Sequence, residues 1–277
     1  MKAAVLGKPI VHSLSPVMHR AAYRALGLAD WSYEAVECDE AALPDFVTSR
    51  GPEWAGLSLT MPLKRAVLPL LDSLDPQAAA TGGANTVVFR EDGRYGYNTD
   101  VQGIMAALVE AGARVPGSVT ILGAGATACS ALAAVRELGV RAADVAVRDR
   151  SRATDLLAAA DRLNMRVRLR DFADLDGDPV PDLLISTVPA GAADFYPERS
   201  ILTPPLPPVV FDVVYSPWPT RLAQAAQAAG AVVVSGFAML VQQAAIQVEL
   251  MTGKRAPVEA MRAAGEAEIA RREAAGA

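Results

Sequence analysis

A glycine-rich loop near the middle of the chain has the residues needed to hold a dinucleotide. The loop runs from Gly123 through Gly125 to Ala128 and directly follows the apolar run Val119–Leu122. A strand that leads into Gly-x-Gly-x-x-Ala and then a helix lets the backbone approach a pyrophosphate, and the helix N-terminus offers N–H donors and positive potential. The pattern predicts a nucleotide site. The alternative is a glycine turn that serves only close packing.

The residues after the next predicted strand bear on which nucleotide is bound. Arg148, Asp149, Arg150 and Arg152 stand there almost consecutively. An acidic residue at this point accepts a hydrogen bond from a ribose 2′-hydroxyl, whereas arginines accommodate a 2′-phosphate. The three arginines favour NADP, with Arg148 placed to stack on the adenine, while Asp149 keeps NAD open. The alternative is a solvated charge run at the start of a helix.

Two serines near the N-terminus form a second candidate site. Ser13 and Ser15 flank Leu14, and Pro16 fits the first position of a helix, for which Ser15 is expected to provide the N-cap. Ser13 is not needed for capping, so the two hydroxyls beside a helix N-terminus can instead hold a small anion such as a carboxylate. The residues leave capping and anion binding equally open.

Lys64 is the residue whose position best suits proton transfer. It follows Pro62 after the apolar run Ala55–Leu59, so we expect it in the first turn of a helix, where the positive end of the dipole opposes its charge. Asp100, which also stands where a strand ends and a helix begins, is the expected compensating carboxylate. The alternatives are a surface lysine for Lys64 and a plain N-cap for Asp100.

Short apolar runs alternate along the chain with longer helical stretches, and these elements position the residues named above. This alternation is typical of an α/β protein. The Asp-Gly pair at 92–93 predicts a hairpin, so the first sheet is expected to be mixed. The predicted strands are Ala3–Leu6, Tyr33–Glu37, Ala55–Leu59, Thr86–Phe89, Tyr95–Tyr97, Val119–Leu122, Val145–Val147, Leu183–Ser186, Val209–Val213 and Ala231–Val234. The predicted helices are Pro16–Leu26, Pro62–Leu71, Val101–Ala111, Ala126–Leu138, Arg152–Leu163, Thr220–Ala229, Phe237–Met251 and Pro257–Ala275. In the last helix, the charge-laced segment 266–273 is expected to be a solvated face.

Composition excludes several classes of protein. The 277 residues include 26 lysines and arginines against 31 aspartates and glutamates, a net charge of −5, which argues against a nucleic-acid partner. The only cysteines and histidines are Cys38, Cys129, His12 and His19, too few and too scattered for a metal site or a disulfide framework, so we expect no metal and a cytoplasmic location. Some long segments contain no charged residue, but glycine, proline and glutamine residues interrupt them, so no membrane span is expected.

Six motifs, taken in order, resemble the motif set of the shikimate dehydrogenase family. They lie at Gly7–Pro16 with His19, at Thr60–Lys64, at Gly82–Thr86, at Asp92–Asp100, at Gly123–Ala128 and at Gly236–Gln243. They span nearly the whole chain, and six motifs in the right order are far more specific than any one of them. The resemblance implies an NADP-dependent oxidoreductase acting on a CH–OH group. It would reduce 3-dehydroshikimate reversibly to shikimate in the biosynthesis of chorismate and the aromatic amino acids.

The resemblance also implies roles for individual residues. Lys64 and Asp100 would form the catalytic pair, with Lys64 as proton donor and acceptor, and the two serines would bind the substrate carboxylate. The substrate would be bound by Ser13, Ser15, Thr60, Lys64, Asn85, Asp100, Tyr215 and Gln243. NADP would be bound by Gly123, Ala124, Gly125, Ala126, Thr127, Arg148, Arg152, Thr187, Val213, Gly236 and Met239.

The implied architecture is α/β: an N-terminal mixed-sheet α/β substrate domain plus a Rossmann-type doubly wound dinucleotide-binding domain. Residues 1–101 plus 238–277 would form the substrate-binding and catalytic domain, and residues 102–237 the NADP-binding domain. Arg20 and Val147 replace asparagines that are usual in the family. The second departure, with Asp149, keeps an NAD-dependent quinate/shikimate dehydrogenase open, and a non-catalytic NADP-binding sensor on the same fold is a further alternative. The sequence does not determine the oligomeric state, for which a homodimer is one option.

Overall fold

The chain divides into two compact units, each of which is described here by itself. In the computed structural model, residues 1–114, 116–175, 179–196 and 206–276 are described. The first unit is Met1–Thr99 with Val241–Ala277, and the second unit is Asp100–Leu240. The second unit is thus an insertion in the sequence of the first, which is built from both ends of the chain.

Strands and helices alternate through both units. The strands are β1 (Lys2–Gly7), β2 (Ser32–Glu37), β3 (Trp54–Leu59), β4 (Ser73–Leu74), β5 (Thr86–Arg90), β6 (Gly93–Tyr97), β7 (Val119–Leu122), β8 (Ala142–Val147), β9 (Arg166–Asp171), β10 (Leu183–Ser186), β11 (Val209–Asp212) and β12 (Val232–Ser235). The helices are α1 (Ser15–Ala25), α2 (Leu43–Thr48), α3 (Leu63–Ala66), α4 (Pro76–Thr81), α5 (Thr99–Glu110), α6 (Ala126–Glu137), α7 (Thr154–Arg162), α8 (Arg221–Ala228), α9 (Gly236–Thr252) and α10 (Val258–Gly276).

The first unit is built on a mixed sheet in the order β2-β1-β3-β5-β6-β4. β1 runs parallel to β2 and β3, whereas β5 is antiparallel to β3 and β6. Arg90 pairs with Gly93 across the β5–β6 turn, and Gly93 has a φ of +152°, which glycine adopts without strain. The predicted hairpin and the mixed sheet are therefore confirmed.

Side chains from both faces of β1 are buried, which places this strand inside the unit. Leu6 packs with Leu57 and Leu63 in a cluster on one face, and Val5 packs with Tyr33 in a cluster on the other. Continuous apolar sequence is what a strand covered on both faces requires. The carboxyl ends of β1 and β3 therefore lead into loops whose starting points are fixed by the core.

The second unit is built on a parallel sheet in the order β12-β11-β10-β7-β8-β9. The chain moves outward from β7 to β9, returns to the other side of β7 at β10, and continues outward to β12. This is a doubly wound sheet whose direction of winding reverses between β7 and β10, and dinucleotides bind at the carboxyl ends of strands beside such a reversal. The Rossmann-type prediction is confirmed.

Several elements differ from those that the sequence predicts. The predicted helix Pro62–Leu71 is wrong in its length: α3 ends at Ala66 and a 3₁₀ turn covers Leu68–Leu70, because Pro69 has no N–H to continue the helix. β9 has no predicted counterpart, since its arginines alternate with aliphatic residues instead of forming an apolar run. The short elements β4, α2 and α4 are also absent from the prediction.

Candidate active site

The loop after β1 brings the two serines together. The N-cap of α1 is Leu14, with no side-chain hydrogen bond at the cap, and Ser15 is already inside the helix. The backbone N–H of Ser15 instead donates to Ser13 Oγ at 3.3 Å. The prediction that Ser15 caps the helix is therefore wrong, because the helix begins one residue earlier, and the hydroxyl that meets the helix N-terminus belongs to Ser13. Ser15 is buried and Ser13 half-buried.

Thr60 lies beside the end of β1. Its backbone N–H donates to Leu6 O at 2.9 Å, and a Cβ added at Gly7 would lie 2.3 Å from Thr60 Cγ2. Only a residue without a side chain allows this approach. Gly7 thus explains why the loops after β1 and β3 can lie side by side.

Lys64 occupies the second position of the four-residue helix α3. Its carbonyl oxygen accepts from the backbone N–H of Ala84 at 2.8 Å, and a Cβ added at Gly83 would lie 3.8 Å from Lys64 Cβ. The segment before β5 therefore packs directly against Lys64, whose side chain is half-buried. Asp100 lies in the first turn of α5 and is buried, with 4% of its surface exposed.

Asn85, Thr99 and Gln243 form a buried cluster of uncharged polar side chains. Asn85 Nδ2 donates to Thr99 Oγ1 at 3.0 Å and to Gln243 Oε1 at 3.3 Å, and the backbone N–H of Thr99 donates to Asn85 Oδ1 at 2.9 Å. None of the three is more than 6% exposed. Amides and hydroxyls held rigid by one another are suited to hydrogen-bonding a polyol, since each can both donate and accept. Thr99 is a member of this cluster that the sequence reasoning missed.

A second layer of hydrogen bonds lies behind this cluster. Gln247 Nε2 donates to Thr86 Oγ1 at 2.9 Å, Ser58 Oγ donates to Gln247 Oε1 at 2.7 Å, and Tyr33 Oη donates to Ser58 Oγ at 2.6 Å. The sequence did not indicate this series of hydrogen bonds either. Gln243 and Gln247 are four residues apart and so share one face of α9, which is the signal that could have indicated a paired role.

His19 is packed beneath the same network as a neutral side chain. Its ring stacks on Tyr33 with centroids 3.9 Å apart, and neither ring nitrogen has a hydrogen-bond partner among the described residues. Burial lowers the pKa of His19 from 6.5 to about 3, against a smaller opposing effect of Gln247. The imidazole therefore stays uncharged at physiological pH.

In the second unit, the glycine loop has the shape that a dinucleotide requires. Gly123 has a φ of +103°, and a Cβ added there would lie 2.7 Å from Thr187 Oγ1. Gly125 is the N-cap of α6, with no side-chain hydrogen bond at the cap, and a Cβ added there would meet no described atom within 4 Å. Open space thus lies beside the start of α6, where Ala126 and Thr127 contribute the first backbone N–H groups. Ala124 lies between the two glycines and completes the turn.

The charged residues after β8 differ in their partners. Asp149 Oδ1 accepts from the N–H and the hydroxyl of Ser151 at 2.9 and 2.7 Å, and these bonds lower the pKa of Asp149. Arg150 pairs with Asp171 and Asp174. The remaining two arginines, Arg148 and Arg152, are exposed and form no salt bridge within the described part of the chain.

The end of the second unit also contains residues that the resemblance assigned to the cofactor. A Cβ added at Gly236, where α9 begins, would lie 1.9 Å from Val213 O, so only glycine fits this contact. Met239 is buried one turn further along α9, with 7% of its surface exposed, and Tyr215 is half-buried.

Among the described residues, no helix is long and apolar enough to cross a membrane, and no group of acidic, histidine and cysteine side chains is arranged to hold a metal ion.

Known proteins resemble the chain over nearly its whole length. A family model of the shikimate dehydrogenase substrate binding domain matches residues 5–87, and one of the shikimate 5'-dehydrogenase C-terminal domain matches residues 236–264. A shikimate dehydrogenase (NADP(+)) of Methanopyrus kandleri is 38% identical over 278 residues, covering 94% of this chain and 93% of that protein.

Solved structures agree with the sequence relatives. The crystal structure of shikimate dehydrogenase from Mycobacterium tuberculosis is 43% identical, with a TM-score of 0.85 over 96% of this chain and 98% of that one. Shikimate 5-dehydrogenase of Thermus thermophilus, in complex with NADP(H) and shikimate, is 34% identical with a TM-score of 0.82, over 96% of this chain and 98% of that one. Because identity at this level extends over almost the full length of both partners, the chain belongs to the shikimate dehydrogenase family.

Proposed function

We propose that the chain catalyses the reversible, NADP-linked reduction of 3-dehydroshikimate to shikimate, a step of chorismate and aromatic amino-acid biosynthesis. The observation that carries the proposal is the buried cluster of Asn85, Thr99 and Gln243, which offers only uncharged donors and acceptors, as a cyclic polyol requires. The Thermus thermophilus relative, which is in complex with NADP(H) and shikimate, supports the choice of ligands.

The residues of the second unit fit NADP. Gly123 and Gly125 leave backbone N–H groups and space where a pyrophosphate approaches a helix N-terminus. The side chains assigned to the cofactor would hold it from the ends of three further strands: Arg148 and Arg152 after β8, Thr187 after β10, and Val213 after β11, with Ala124, Ala126, Thr127, Gly236 and Met239. When bound, NADPH supplies the hydride.

The substrate would be held at both ends of its ring by residues of the first unit. Ser13 and Ser15 would donate to the carboxylate, because two hydroxyls beside the N-terminus of α1 favour an anion. Thr60, Asn85 and Gln243 would bind ring hydroxyls. We also assign Tyr215 to substrate binding.

Lys64 would move the proton. In the direction of reduction, the Lys64 ammonium donates a proton to the carbonyl oxygen as negative charge develops there, and in the reverse direction the neutral amine takes it from the alcohol. Asp100 would hold the ammonium and accept from a neighbouring hydroxyl. His19 is not assigned the role of proton donor, because burial keeps its imidazole uncharged at physiological pH.

The two arginines Arg148 and Arg152 favour NADP over the alternative of an NAD-dependent quinate/shikimate dehydrogenase. An NAD-selecting carboxylate accepts from the ribose 2′-hydroxyl. Ser151 occupies only Oδ1 of Asp149, so the carboxylate keeps a second oxygen for such a bond. The exposed Arg148 and Arg152, however, supply the positive charge that a 2′-phosphate requires. A non-catalytic sensor is disfavoured by the presence of the polyol cluster, since a sensor of the nucleotide needs only the second unit.

The test is a spectrophotometric assay with shikimate or quinate and with NADP or NAD. We expect the highest kcat/KM with shikimate and NADP. A preference for NAD and quinate would establish the alternative enzyme, and tight NADPH binding without turnover of either substrate would establish the sensor.

We further propose that residues 1–101 plus 238–277 bind the substrate, that residues 102–237 bind NADP, and that the enzyme is cytoplasmic. A homodimer is a state that light scattering would test.

A further inference from the structure

The C-terminal helix α10 makes a specific contact with the loop that carries the two serines. Arg272 Nη1 donates to the backbone oxygen of His12 at 2.7 Å, and Arg272 Nη2 donates to that of Ser13 at 3.4 Å. α10 also packs against α1, the helix that the loop enters. A segment expected from its charge pattern to be a solvated face therefore touches a proposed substrate-binding loop.

Arg272 is itself held in place from behind. Its Nε donates to Glu268 Oε1 at 2.7 Å, one helical turn earlier, and only 14% of the Glu268 side chain is exposed. Arg271 donates to both carboxylate oxygens of Glu268, and the two guanidinium groups hold the pKa of Glu268 at about 2. The carboxylate is thus ionised at any working pH, and it fixes the plane of the Arg272 guanidinium.

The two carbonyl groups that Arg272 holds belong to the peptide units on either side of Ser13. Because each peptide unit is planar, holding both oxygens restricts the two backbone dihedrals of Ser13 and hence the direction of its Cα–Cβ bond. Ser13 Oγ accepts from the N–H of Ser15, so the position of one serine is linked to the other. A planar guanidinium with five N–H donors can serve three acceptors at once, whereas a lysine cannot do so in one plane.

We infer that Arg272 is a positioning residue for the substrate carboxylate, acting on Ser13 through the two backbone carbonyls of the serine loop. The inference rests on the proposed function, in which this loop binds the carboxylate. Because Arg272 reaches the loop through backbone carbonyl oxygens, we assign its effect to the geometry of the loop. The neighbouring Arg271, which shares the Glu268 carboxylate, controls for the loss of one positive charge.

The chain offers a matched control in the neighbouring arginine. Arg271 shares the Glu268 carboxylate, is 67% exposed, and donates its hydrogen bonds to that carboxylate and not to the loop. We expect Arg272→Met to raise the KM for shikimate by about tenfold, as for the loss of one hydrogen bond to a charged group. kcat and the KM for NADP should change less than about twofold, and Arg271→Met should leave all three constants at wild-type values.

Glu268→Gln provides a second variant, in which Arg272 remains but the negative charge of the carboxylate that orients it is removed. We expect a smaller rise in the shikimate KM than for Arg272→Met. An unchanged shikimate KM in Arg272→Met, an equal rise in Arg271→Met, or a parallel rise in the KM for NADP would each overturn the inference. An active wild type with unchanged variants refutes only the role of Arg272, whereas a wild type that does not oxidise shikimate refutes the proposed function first.

Discussion

His19 should make the free energy of unfolding depend on pH between pH 7 and pH 5. Burial lowers the pKa of the folded imidazole from 6.5 to about 3. Below pH 6.5 the unfolded chain therefore binds a proton that the folded chain does not. The stability associated with neutral His19 is fully present above about pH 6.5 and is lost progressively as the pH falls toward about 3.

The size of the effect follows from the two pKa values. Each pH unit below the unfolded pKa removes up to about 1.4 kcal/mol, so the loss between pH 7 and pH 5 is about 2 kcal/mol. Few other groups titrate in this window, because the chain has only two histidines and most carboxyl groups protonate at lower pH. Urea unfolding at several pH values measures this loss when it is followed by tryptophan fluorescence, to which Trp31 and Trp54 in the first unit and Trp218 in the second contribute.

The variant that isolates the effect is His19→Phe, which keeps an aromatic ring against Tyr33 and removes the titrating group. Because the test compares the change between pH 7 and pH 5 within each variant, any contact of the ring with Gln247 that the substitution removes changes the stability at both pH values alike. We expect the decrease between pH 7 and pH 5 to be nearly absent in His19→Phe and retained in His12→Gln, where the exposed histidine is replaced. An equal decrease in His19→Phe and wild type would refute the reasoning.

Three further changes test the site. Lys64→Ala should lower kcat by at least ~10²-fold, the usual share of a general acid, with NADPH affinity unchanged by fluorescence titration; a near-normal kcat would exclude Lys64 as the proton donor. Arg148→Ala should lower kcat/KM for NADP about tenfold and leave that for NAD nearly unchanged, whereas Arg150→Ala, whose partners lie elsewhere, should affect neither preference. Gln247→Leu should lower the free energy of unfolding by about 2–3 kcal/mol, because the buried hydroxyl of Ser58 loses its acceptor; a loss under about 0.5 kcal/mol would contradict that network.

The fold was predictable because its main strands are short apolar runs with clear punctuation. Val119–Leu122 and Leu183–Ser186 have the same bounds in the prediction and in the structure, since each is buried along its length and ends at a polar or glycine residue. β9 was not predictable in the same way. Its position at a sheet edge lets Arg166 and Arg168 remain exposed, so no apolar run marks the strand.

Site residues were predictable from the sequence where the local backbone allows only one residue type. Gly123 and Gly236 stand where any Cβ would meet the atoms of a neighbouring segment, and both were named from the sequence. Gln247 and Arg272 were not named from the sequence. The spacing of Gln247 from Gln243 places both on one helix face but does not say what that face meets, and the role of Arg272 arises from packing between distant segments. Gln247 lies 189 residues from Ser58, and Arg272 lies 260 residues from His12. No local pattern records such distances.

The edge strand β9 has a consequence for the behaviour of the folded protein in concentrated solution. Arg166, Arg168 and Arg170 project from one face of this strand at the outer border of the parallel sheet. An edge strand otherwise offers its open backbone groups to any second strand, which is how sheets extend from one molecule to the next. A second copy aligning its β9 there would bring a row of guanidinium groups against an identical row. Arg168 pairs with Asp144 on the neighbouring strand, so part of this charge is neutralised. The remaining positive charge and the bulk of the long side chains still disfavour strand-to-strand association at this border.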